Sequence, residues 1–452
     1  MIRRPPRSTL DRSSAASDVY KRQEGFRDVL EIRRLRMPKL YDLTWEKPKP
    51  LVSRANRTEV VERINNLGEV LAPLDEGTVL SAIDKLLGNG VEAIAVSLIN
   101  AYTNGEHERR IGELIAERAP DLSICISSAI LPEIKEYERT STVVVNAYIL
   151  PVVARYLTAL STALKRLDVA APLLVMQSSG GAMGVEAACL RPIHIIESGP
   201  AAGVVGGAEV AAKLGIENVL TFDMGGTTAK AAIIEGGAFD RVSELDVGAG
   251  INYGARLLKG GGHHVGVPAI DIAEVGAGGG SMVRIDAGGS LAVGPESAGA
   301  VPGPICYGKG GSVPTVTDAN VVLGFLNPDY LVGGELKLDA KSAADAIEQK
   351  IAAPRGVSVD EAAYGIHRVA NATMTRALRS VSSERGRDPR RFSLMAFGGN
   401  GPVHAVTLAD SLDIETILIP PTAGVFSAMG LLFPATEHHY VRTLMREFQD
   451  IE

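Results

Sequence analysis

Residues 219–234 read VLTFDMGGTTAKAAII, and this stretch decides how the rest of the chain is interpreted. Val219–Phe222 is a short apolar run of strand-forming residues, so it predicts a buried strand that ends at Asp223. The Gly-Gly turn after it can bring backbone N–H groups close to an anion. Ala229–Ile234 then predicts the return strand. An aspartate beside such a turn suits a metal ion and a triphosphate tail, whereas an ordinary Gly-Gly hairpin is the alternative.

Two more predicted strands run into glycine-rich turns, at 271–281 and at 392–401. In α/β sheets, ligands bind beyond the carboxyl ends of the strands. Three such turns therefore predict one nucleotide cleft. The Walker A pattern GxxxxGK[ST] is absent from the sequence, which excludes a P-loop enzyme. A dinucleotide fold is disfavoured because no βαβ unit carries a GxGxxG turn.

The composition is that of a globular protein with more than one domain. The chain has 452 residues, of which 46% are hydrophobic and 22% are charged. Its net charge of −7 gives no footprint for nucleic acid. Cys125, Cys189 and Cys306 are far apart and form no CxxC pair, which disfavours zinc and predicts the cytoplasm. No apolar run approaches the ~20 residues of a membrane span, so we expect no membrane association.

The first 22 residues, MIRRPPRSTLDRSSAASDVYKR, differ in composition from the rest of the chain. They are rich in Arg and Ser and show no apolar periodicity. A transit peptide is one interpretation, but the two aspartates count against it. The string resembles a translated sequencing adapter, so we exclude it from the fold and expect the natural N-terminus to be missing.

The order of the predicted elements indicates an α/β protein. Between residue 23 and about residue 165, helices and strands alternate, which predicts a largely parallel sheet with helices on its faces. The clearest predicted elements are a strand at 91–98, a helix at 106–118, a helix at 133–164 interrupted near Pro151, a hairpin at 282–293, a helix at 319–326 capped by Thr317 or Asp318, and a helix at 358–382.

The order of the motifs resembles that of the actin-like ATPase superfamily. A small-residue helix opened by SGPAA precedes the DxGGT hairpin, and a long helix later precedes a strand with a GGxGP turn. Within that superfamily, the motifs resemble the hydantoinase/oxoprolinase family over about residues 23–445. The motifs are EGFRDVLEI, PEIKEYERTSTVVVNAYILP, MQSSGG, SGPAAGVVGGA, FDMGGTTAK, IAEVGAGGGS, PTVTDAN and AFGGNGPVHA.

This resemblance implies an α/β, actin-like (ribonuclease H-like) fold with two lobes, of which the first is incomplete. It divides the chain into an adapter-like segment (1–22), a partial N-terminal domain (23–165) and an ATPase domain truncated at its C-terminal end (166–452). The first phosphate hairpin of the fold is expected upstream of Glu24, where no such motif occurs. We therefore expect this chain alone to bind ATP weakly and to turn over little.

The resemblance also implies an activity. Family members use ATP to phosphorylate a carbonyl oxygen, and water then opens the ring of a hydantoin, of 5-oxoproline or of a related lactam or imide. The alternatives are an ATPase subunit of an acetone- or acetophenone-type carboxylase and a non-catalytic actin-fold nucleotide-binding protein. A hydantoinase B-type partner subunit and an oligomer are implied as well.

The site residues follow from the same resemblance. Asp223 and Thr227 are the expected catalytic residues, and Asp223 and Asp318 the expected ligands of Mg²⁺ or Mn²⁺. Asp271 and Glu274 are weaker polar candidates. The residues expected to bind ATP are Gly225, Gly226, Thr228, Gly278, Gly279, Gly280, Gly398, Gly399 and Gly401.

Other polar residues have simpler interpretations. Lys230 departs from the acidic residue more common at its position, which bears on the substrate and partner rather than the fold. The charged run at 133–139 predicts a solvated helix face, with a substrate or interdomain role for Arg139 as the alternative. The adjacent pair His263 and His264 diverges on extended backbone, which disfavours a shared metal. Cys306 has no nameable histidine partner, so a structural role is favoured over a nucleophilic one.

Overall fold

The computed structural model describes residues 19–23, 25–34, 42–43, 45–248, 261–330 and 334–443. The strands are β1 (Val19–Gln23), β2 (Arg57–Val60), β3 (Arg63–Ile64), β4 (Val70–Ala72), β5 (Ala93–Val96), β6 (Ser123–Ile126), β7 (Leu174–Met176), β8 (Ala182–Gly184), β9 (Val219–Met224), β10 (Ala229–Glu235), β11 (Ala238–Phe239), β12 (Arg241–Val242), β13 (Leu245–Val247), β14 (His263–Val265), β15 (Ala269–Ile270), β16 (Ala273–Val275), β17 (Ser281–Ile285), β18 (Leu291–Ser297), β19 (Ser393–Phe397) and β20 (Ile417–Leu418).

The α-helices are α1 (Val29–Ile32), α2 (Glu76–Gly88), α3 (Glu106–Arg118), α4 (Ser127–Ile130), α5 (Glu136–Arg166), α6 (Val185–Leu190), α7 (Ser198–Lys213), α8 (Val316–Val322), α9 (Ala340–Ile347), α10 (Ala353–Arg355), α11 (Val359–Val381), α12 (Gly401–Asp410) and α13 (Phe426–Gly430). A π-helical stretch, Glu348–Ala352, joins α9 to α10. Short 3-10 turns are Arg54–Asn56, Pro192–Ile195, Ile305–Tyr307, Ser383–Arg385, Pro389–Arg391 and Ala423–Val425.

The first sheet is parallel and has the strand order β2-β1-β5-β6. Strand β5 is buried on both faces. Ile94 and Val96 pack in a core with α2 and α3, whereas Ala93 and Ala95 pack in a core with α5. A strand covered on both faces needs a continuous apolar run. The strand predicted from such a run at 91–98 is confirmed as β5, with bounds Ala93–Val96.

Residues 19–22 belong to this sheet, although their composition predicts a segment outside the fold. Strand β1 pairs in parallel with β2, where Gln23 lies opposite Val60, and with β5, where Val19 lies opposite Ile94. Without β1, both neighbours would present an edge of unpaired backbone groups. The sheet therefore begins before the boundary assigned at residue 23. The adapter-like interpretation of residues 1–18 falls outside the described residues.

Helix α5 is continuous through Pro151, so the predicted interruption there is wrong. The first half of the helix is fixed by packing, since Val143, Val144 and Ala147 are buried against the first sheet. This packing outweighs the backbone hydrogen bond that a proline removes. By length and composition α5 is also apolar enough to cross a membrane, contrary to the expectation from the sequence. However, 33% of its most apolar stretch is buried within the protein.

The second sheet has the order β11-β10-β9-β19-β20, with β16 also pairing with β10. Strands β9, β10 and β11 are antiparallel neighbours, whereas β19 and β20 run parallel to β9. An antiparallel meander extended by parallel strands on its first strand is the ribonuclease H-like arrangement. The fold is therefore α/β and actin-like, as predicted.

Helices cover both faces of this second sheet. Leu220, Phe222 and Met224 of β9 belong to a core with α8, α11 and α12, whereas Val219 belongs to a core with α7 and α13. Because side chains alternate along a strand, Asp223 lies on the α7 face. The predicted small-residue helix is confirmed as α7. A Cβ on its Gly203 would lie 2.7 Å from the ring of Phe397, so only glycine permits this approach.

The other predicted elements are close to the observed ones. The hairpin at 282–293 is confirmed as β17 and β18, and the helix at 358–382 is confirmed as α11 with Ser358 as its cap. The helix predicted at 319–326 starts earlier, as α8, because Thr315 is the N-cap and forms a capping box with Asp318.

Candidate functional site

The β9–β10 turn lies open at the carboxyl end of the second sheet. It is closed by a hydrogen bond of 3.1 Å from the Gly225 N–H to the carbonyl of Thr228. Gly226 is exposed, and Thr227 and Thr228 are partly exposed. Within the described part of the chain, neither threonine hydroxyl has a hydrogen-bond partner. The turn therefore presents hydroxyl groups to the solvent in the form that an anion needs.

Asp223 lies beside this turn and is partly exposed. In the strand register, Asp223 lies opposite Lys230 of β10 and opposite Phe397 of β19. One carboxylate with access to solvent, next to a place for phosphate oxygens, fits Mg²⁺, which usually takes one or two protein carboxylates and completes its shell with water and phosphate. The described residues contain no cluster of three or more His, Cys, Asp or Glu side chains arranged as metal ligands.

The glycine loop at 278–280 packs against the β9–β10 turn and bonds to its backbone. The N–H groups of Gly279 and Gly280 donate to the carbonyls of Gly225 and Gly226 at 3.1 and 2.7 Å. A Cβ on Gly278 would lie 2.6 Å from the backbone of Thr227. All three glycines are buried. The amides of Gly279 and Gly280 hold the turn in place, and that of Gly278 donates to the Ser281 hydroxyl at 2.9 Å. None of the three projects into the cleft, which changes the role expected for them.

The turn at 398–401 packs on the other side of Asp223. Gly398 has a φ of +82°, and a Cβ there would lie 2.5 Å from the carbonyl oxygen of Met224 and closer still to the Asp223 carboxylate. Gly399 is exposed, and a Cβ there would meet nothing within 4 Å. Gly401 begins α12. Within this turn, Gly399 therefore has the open space that a nucleotide needs.

Two residues outside the predicted site, Asn400 and Thr317, hold these loops together. The Asn400 N–H donates to the carbonyl of Met224 at 3.0 Å, and its side-chain amide donates to that of Gly225 at 3.4 Å. Thr317 donates through both its N–H, at 2.7 Å, and its hydroxyl, at 2.8 Å, to the carbonyl of Gly279. Their positions inside AFGGNGP and PTVTDAN were the available signal.

Asp318 is buried and committed to hydrogen bonds within the protein, which disfavours its expected role as a metal ligand. It is 0% exposed. Its carboxylate accepts from the N–H groups of Ile305, Cys306 and Thr315 and from the Thr315 hydroxyl, at 2.8–3.2 Å. These bonds tie the start of α8 to the loop before it and leave the oxygens saturated.

Lys230 is 7% exposed and lies between two carboxylates. Its Nζ is 2.8 Å from Oε2 of Glu197 and 3.2 Å from Oε1 of Glu274. Glu274 was a weaker candidate in the sequence, and Glu197 was not a candidate at all. The other weak candidate, Asp271, pairs with Arg385, with Nη2 donating to Oδ1 at 3.1 Å.

A buried network of histidines and asparagines lies behind the cleft. Asn320 of α8 bonds to His367 of α11 at 2.9 Å and to His404 of α12 at 3.1 Å. Asn371 completes the network by bonding to His404 at 3.2 Å. Burial, and then the neighbouring His367, lower the pKa of His404 to about 3. The network joins α8, whose Thr317 bonds to the loop at 278–280, to α12, which begins at the end of the turn at 398–401.

The remaining candidates lie away from the hairpin. Arg139 is fully buried and donates to the Leu98 carbonyl at 2.6 Å, and Glu138 is 6% exposed, so the predicted solvated helix face is wrong. Burial lowers the pKa of His263 to about 4. Cys306 is 1% exposed, and burial together with the nearby Asp318 raises the pKa of its thiol far above the ordinary range, as a structural role requires.

Comparison with known protein families gives a match over most or all of each of the two sheets. Residues 139–440, which contain the second sheet, match the family described as "Hydantoinase/oxoprolinase". Residues 17–119 match the family described as "Hydantoinase/oxoprolinase N-terminal region". The caprolactamase subunit alpha of Pseudomonas jessenii is 39% identical over 95% of this chain and 61% of its own length. An uncharacterised protein of Methanocaldococcus jannaschii is 46% identical over 95% of this chain and 63% of its own length.

Two solved structures are similar to this one. The nucleotide-free structure of acetone carboxylase has a TM-score of 0.80 at 29% identity and covers 94% of this chain. The crystal structure of the ATP-dependent caprolactamase from Pseudomonas jessenii has a TM-score of 0.74 at 38% identity and also covers 94%. This chain covers 59% and 60% of those two chains, so it spans less than two thirds of their length.

Proposed function

Because the chain belongs to the hydantoinase/oxoprolinase family, we propose that it binds ATP and takes part in the ATP-dependent opening of a cyclic amide. The observation that carries the proposal is the β9–β10 hairpin. Its Thr227 and Thr228 hydroxyls are unpartnered within the described residues, Asp223 lies at its edge, and two glycine turns hold it rigidly. Such preorganised donors suit phosphoryl transfer, which needs positioning and charge neutralisation more than covalent chemistry.

In the proposed reaction, the carbonyl oxygen of the amide takes the γ-phosphoryl group of ATP. Phosphorylation of this oxygen makes the amide carbon electrophilic, so that water adds to it. The C–N bond of the ring then breaks with the amine as the leaving group, and a second water hydrolyses the resulting acyl phosphate to a carboxylate and free phosphate. Gly226, Thr227 and Thr228 bind the phosphate oxygens, whereas the N–H group of Gly225 closes the turn and is not the phosphate donor expected from the sequence. Gly399 leaves room for the adenosine. Asp223 would hold Mg²⁺ or Mn²⁺, either of which neutralises charge on the phosphates when bound.

A cyclic amide is favoured over a ketone by sequence similarity. The margin is small: the caprolactamase subunit is 39% identical to this chain, the acetophenone carboxylase gamma subunit of Aromatoleum aromaticum 36% and the acetone carboxylase beta subunit of Xanthobacter autotrophicus 33%. The second candidate is an ATPase subunit of a ketone carboxylase, supported by the TM-score of 0.80 for the acetone carboxylase structure. In both cases we propose a hydantoinase B-type partner subunit and a hetero-oligomer.

We also propose a cytoplasmic location, which the free thiols of Cys125, Cys189 and Cys306 support.

The test is ATP hydrolysis by the chain together with a hydantoinase B-type partner. We expect phosphate release that depends on caprolactam, hydantoin or 5-oxoproline. Release only with acetone and bicarbonate would favour the carboxylase, and release without any of these substrates would refute both enzymes. Asp223→Ala should abolish turnover. Survival of turnover in that variant would show that the assignment of Asp223 is wrong.

Asp286→Ala is the matched control. Asp286 also precedes a Gly-Gly turn in a hairpin, but its Oδ1 accepts from the N–H groups of Gly288 and Ser290, both at 2.9 Å. It therefore serves its own turn and has no expected part in turnover. Loss of turnover in both variants would indicate a general effect on folding rather than a site.

A further inference from the structure

The proposed function leaves the role of Lys230 unexplained. The ammonium group is almost fully buried, yet it lies one strand away from Asp223 at the open end of the sheet. In the strand register, Lys230 of β10 is opposite Asp223 of β9 on one side and opposite Glu274 of β16 on the other. A buried ammonium group keeps its charge at an acceptable cost only when it is paired with acidic groups. For Lys230 these groups are the carboxylates of Glu197 and Glu274.

The first partner connects Lys230 to the start of α7. Glu197 is the residue before the helix, the N-cap position, where Ser, Thr, Asp and Asn side chains commonly bond to the first N–H groups. Its carboxylate makes no capping hydrogen bond and reaches Lys230 instead, at 2.8 Å. The backbone N–H of Glu197 donates to the Ser178 hydroxyl at 3.0 Å, which brings the MQSSGG motif to the same place.

The second partner connects Lys230 to the glycine loop. Glu274 lies in β16, and the chain leaves this strand directly into residues 276–280. Gly279 and Gly280 of that loop donate to the carbonyls of the phosphate hairpin. One ammonium group therefore joins the two segments that flank the hairpin, the start of α7 and the loop behind the turn.

We propose that Lys230 is a positioning residue for the nucleotide site, an inference that rests on the proposed function. Asp223, Glu197 and Glu274 place three carboxylates around one strand position, and without a cation they would repel one another and the phosphates. Lys230 cancels one of these charges and fixes Glu197 and Glu274. Removing it releases both side chains toward water, so the loop at 276–280 loses its anchor and the hairpin loses its support.

Arg387 provides a control at the other end of the same strand, β10, whose last residue it pairs with. It lies between Glu235, the last residue of β10, at 2.9 Å, and Asp240 at 2.8 Å. Arg387→Met therefore removes a cation from between two carboxylates, as Lys230→Met does, but at the other end of β10 and away from the hairpin.

The experiment compares Lys230→Met, Lys230→Arg and Arg387→Met in the full chain. The first readout is amide hydrogen exchange of residues 276–281 without nucleotide. We expect it to be about tenfold faster in Lys230→Met, near wild type in Arg387→Met, and largely restored in Lys230→Arg. The second readout is the affinity for AMP-PNP with Mg²⁺, which should fall about tenfold only in Lys230→Met.

Unchanged exchange at 276–281 in Lys230→Met would overturn the inference, and so would an equal change in Arg387→Met. The two readouts separate the inference from the proposed function. If the wild-type chain binds no nucleotide even at millimolar concentration, the proposed function fails, while the exchange measurement still decides whether Lys230 positions the loop.

Discussion

Replacing Gly398 with alanine tests how closely the turn at 398–401 must approach Asp223. Gly398 has a φ of +82°, a conformation that L-residues adopt only with strain. A Cβ at this position would also lie 2.5 Å from the Met224 carbonyl oxygen and against the Asp223 carboxylate. The substitution therefore combines a backbone penalty with a collision at the residue proposed to hold the metal.

The two effects can be separated in magnitude. Placing alanine at a positive φ costs about 1–2 kcal/mol. Overpacking against backbone that cannot rotate away adds about 1–3 kcal/mol. Gly386→Ala isolates the first effect, because Gly386 has a φ of +77° and a Cβ there would meet nothing within 4 Å. We expect Gly398→Ala to lose about 2–5 kcal/mol of stability and Gly386→Ala about 1–2 kcal/mol.

The assay is urea unfolding of the two variants and of wild type, followed by AMP-PNP binding. The collision should be relieved by movement of Asp223, so Gly398→Ala should also lose nucleotide affinity while Gly386→Ala keeps it. Equal stabilities for the two variants would refute the close approach of this turn to β9. Wild-type affinity in Gly398→Ala would refute its connection to the site.

Stability should also fall at acid pH because the pKa of His404 is depressed to about 3 in the folded chain. In the unfolded chain the His404 side chain has a pKa of about 6.5 and therefore binds the extra proton first. The free energy of unfolding should therefore be constant above that pH and fall by about 3 kcal/mol by pH 4.5, a loss that His404→Gln reduces in pH-dependent denaturant titrations. Asp318→Asn should lose about 2–4 kcal/mol of stability, because an amide cannot accept all the bonds of the carboxylate. Its folded form should bind Mg²⁺ and AMP-PNP as wild type does, whereas weaker metal binding in calorimetry would restore Asp318 as a ligand.

Local patterns in the sequence predict the hairpin and the helices well. The β9–β10 turn follows from a strand, two glycines and a second strand within sixteen residues, 219–234. The start of α8 was misplaced although the signal was present. Thr315 has an acidic residue, Asp318, three residues later, which is the spacing of a capping box, whereas Thr317, one of the two caps predicted, has Asn320 at that position.

The errors concern residues whose environment is set by distant parts of the chain. Arg139 lies in a charged run, yet its carbonyl partner Leu98 comes from a loop 41 residues earlier. Glu197 and Lys230 are 33 residues apart and meet only when α7 packs on the sheet. Pro151 was expected to break a helix that tertiary packing keeps intact. Burial of this kind depends on long-range contacts that periodicity does not encode.

The most direct test of the account is a structure of the chain with millimolar AMP-PNP and Mg²⁺. We predict that the β- and γ-phosphates lie within about 3 Å of the donors of Gly226, Thr227 and Thr228, with the adenosine beside Gly399. The metal should lie next to Asp223 and away from Asp318. Phosphates bound elsewhere, with the hairpin facing only solvent, would contradict the central claim that this turn is the phosphate site.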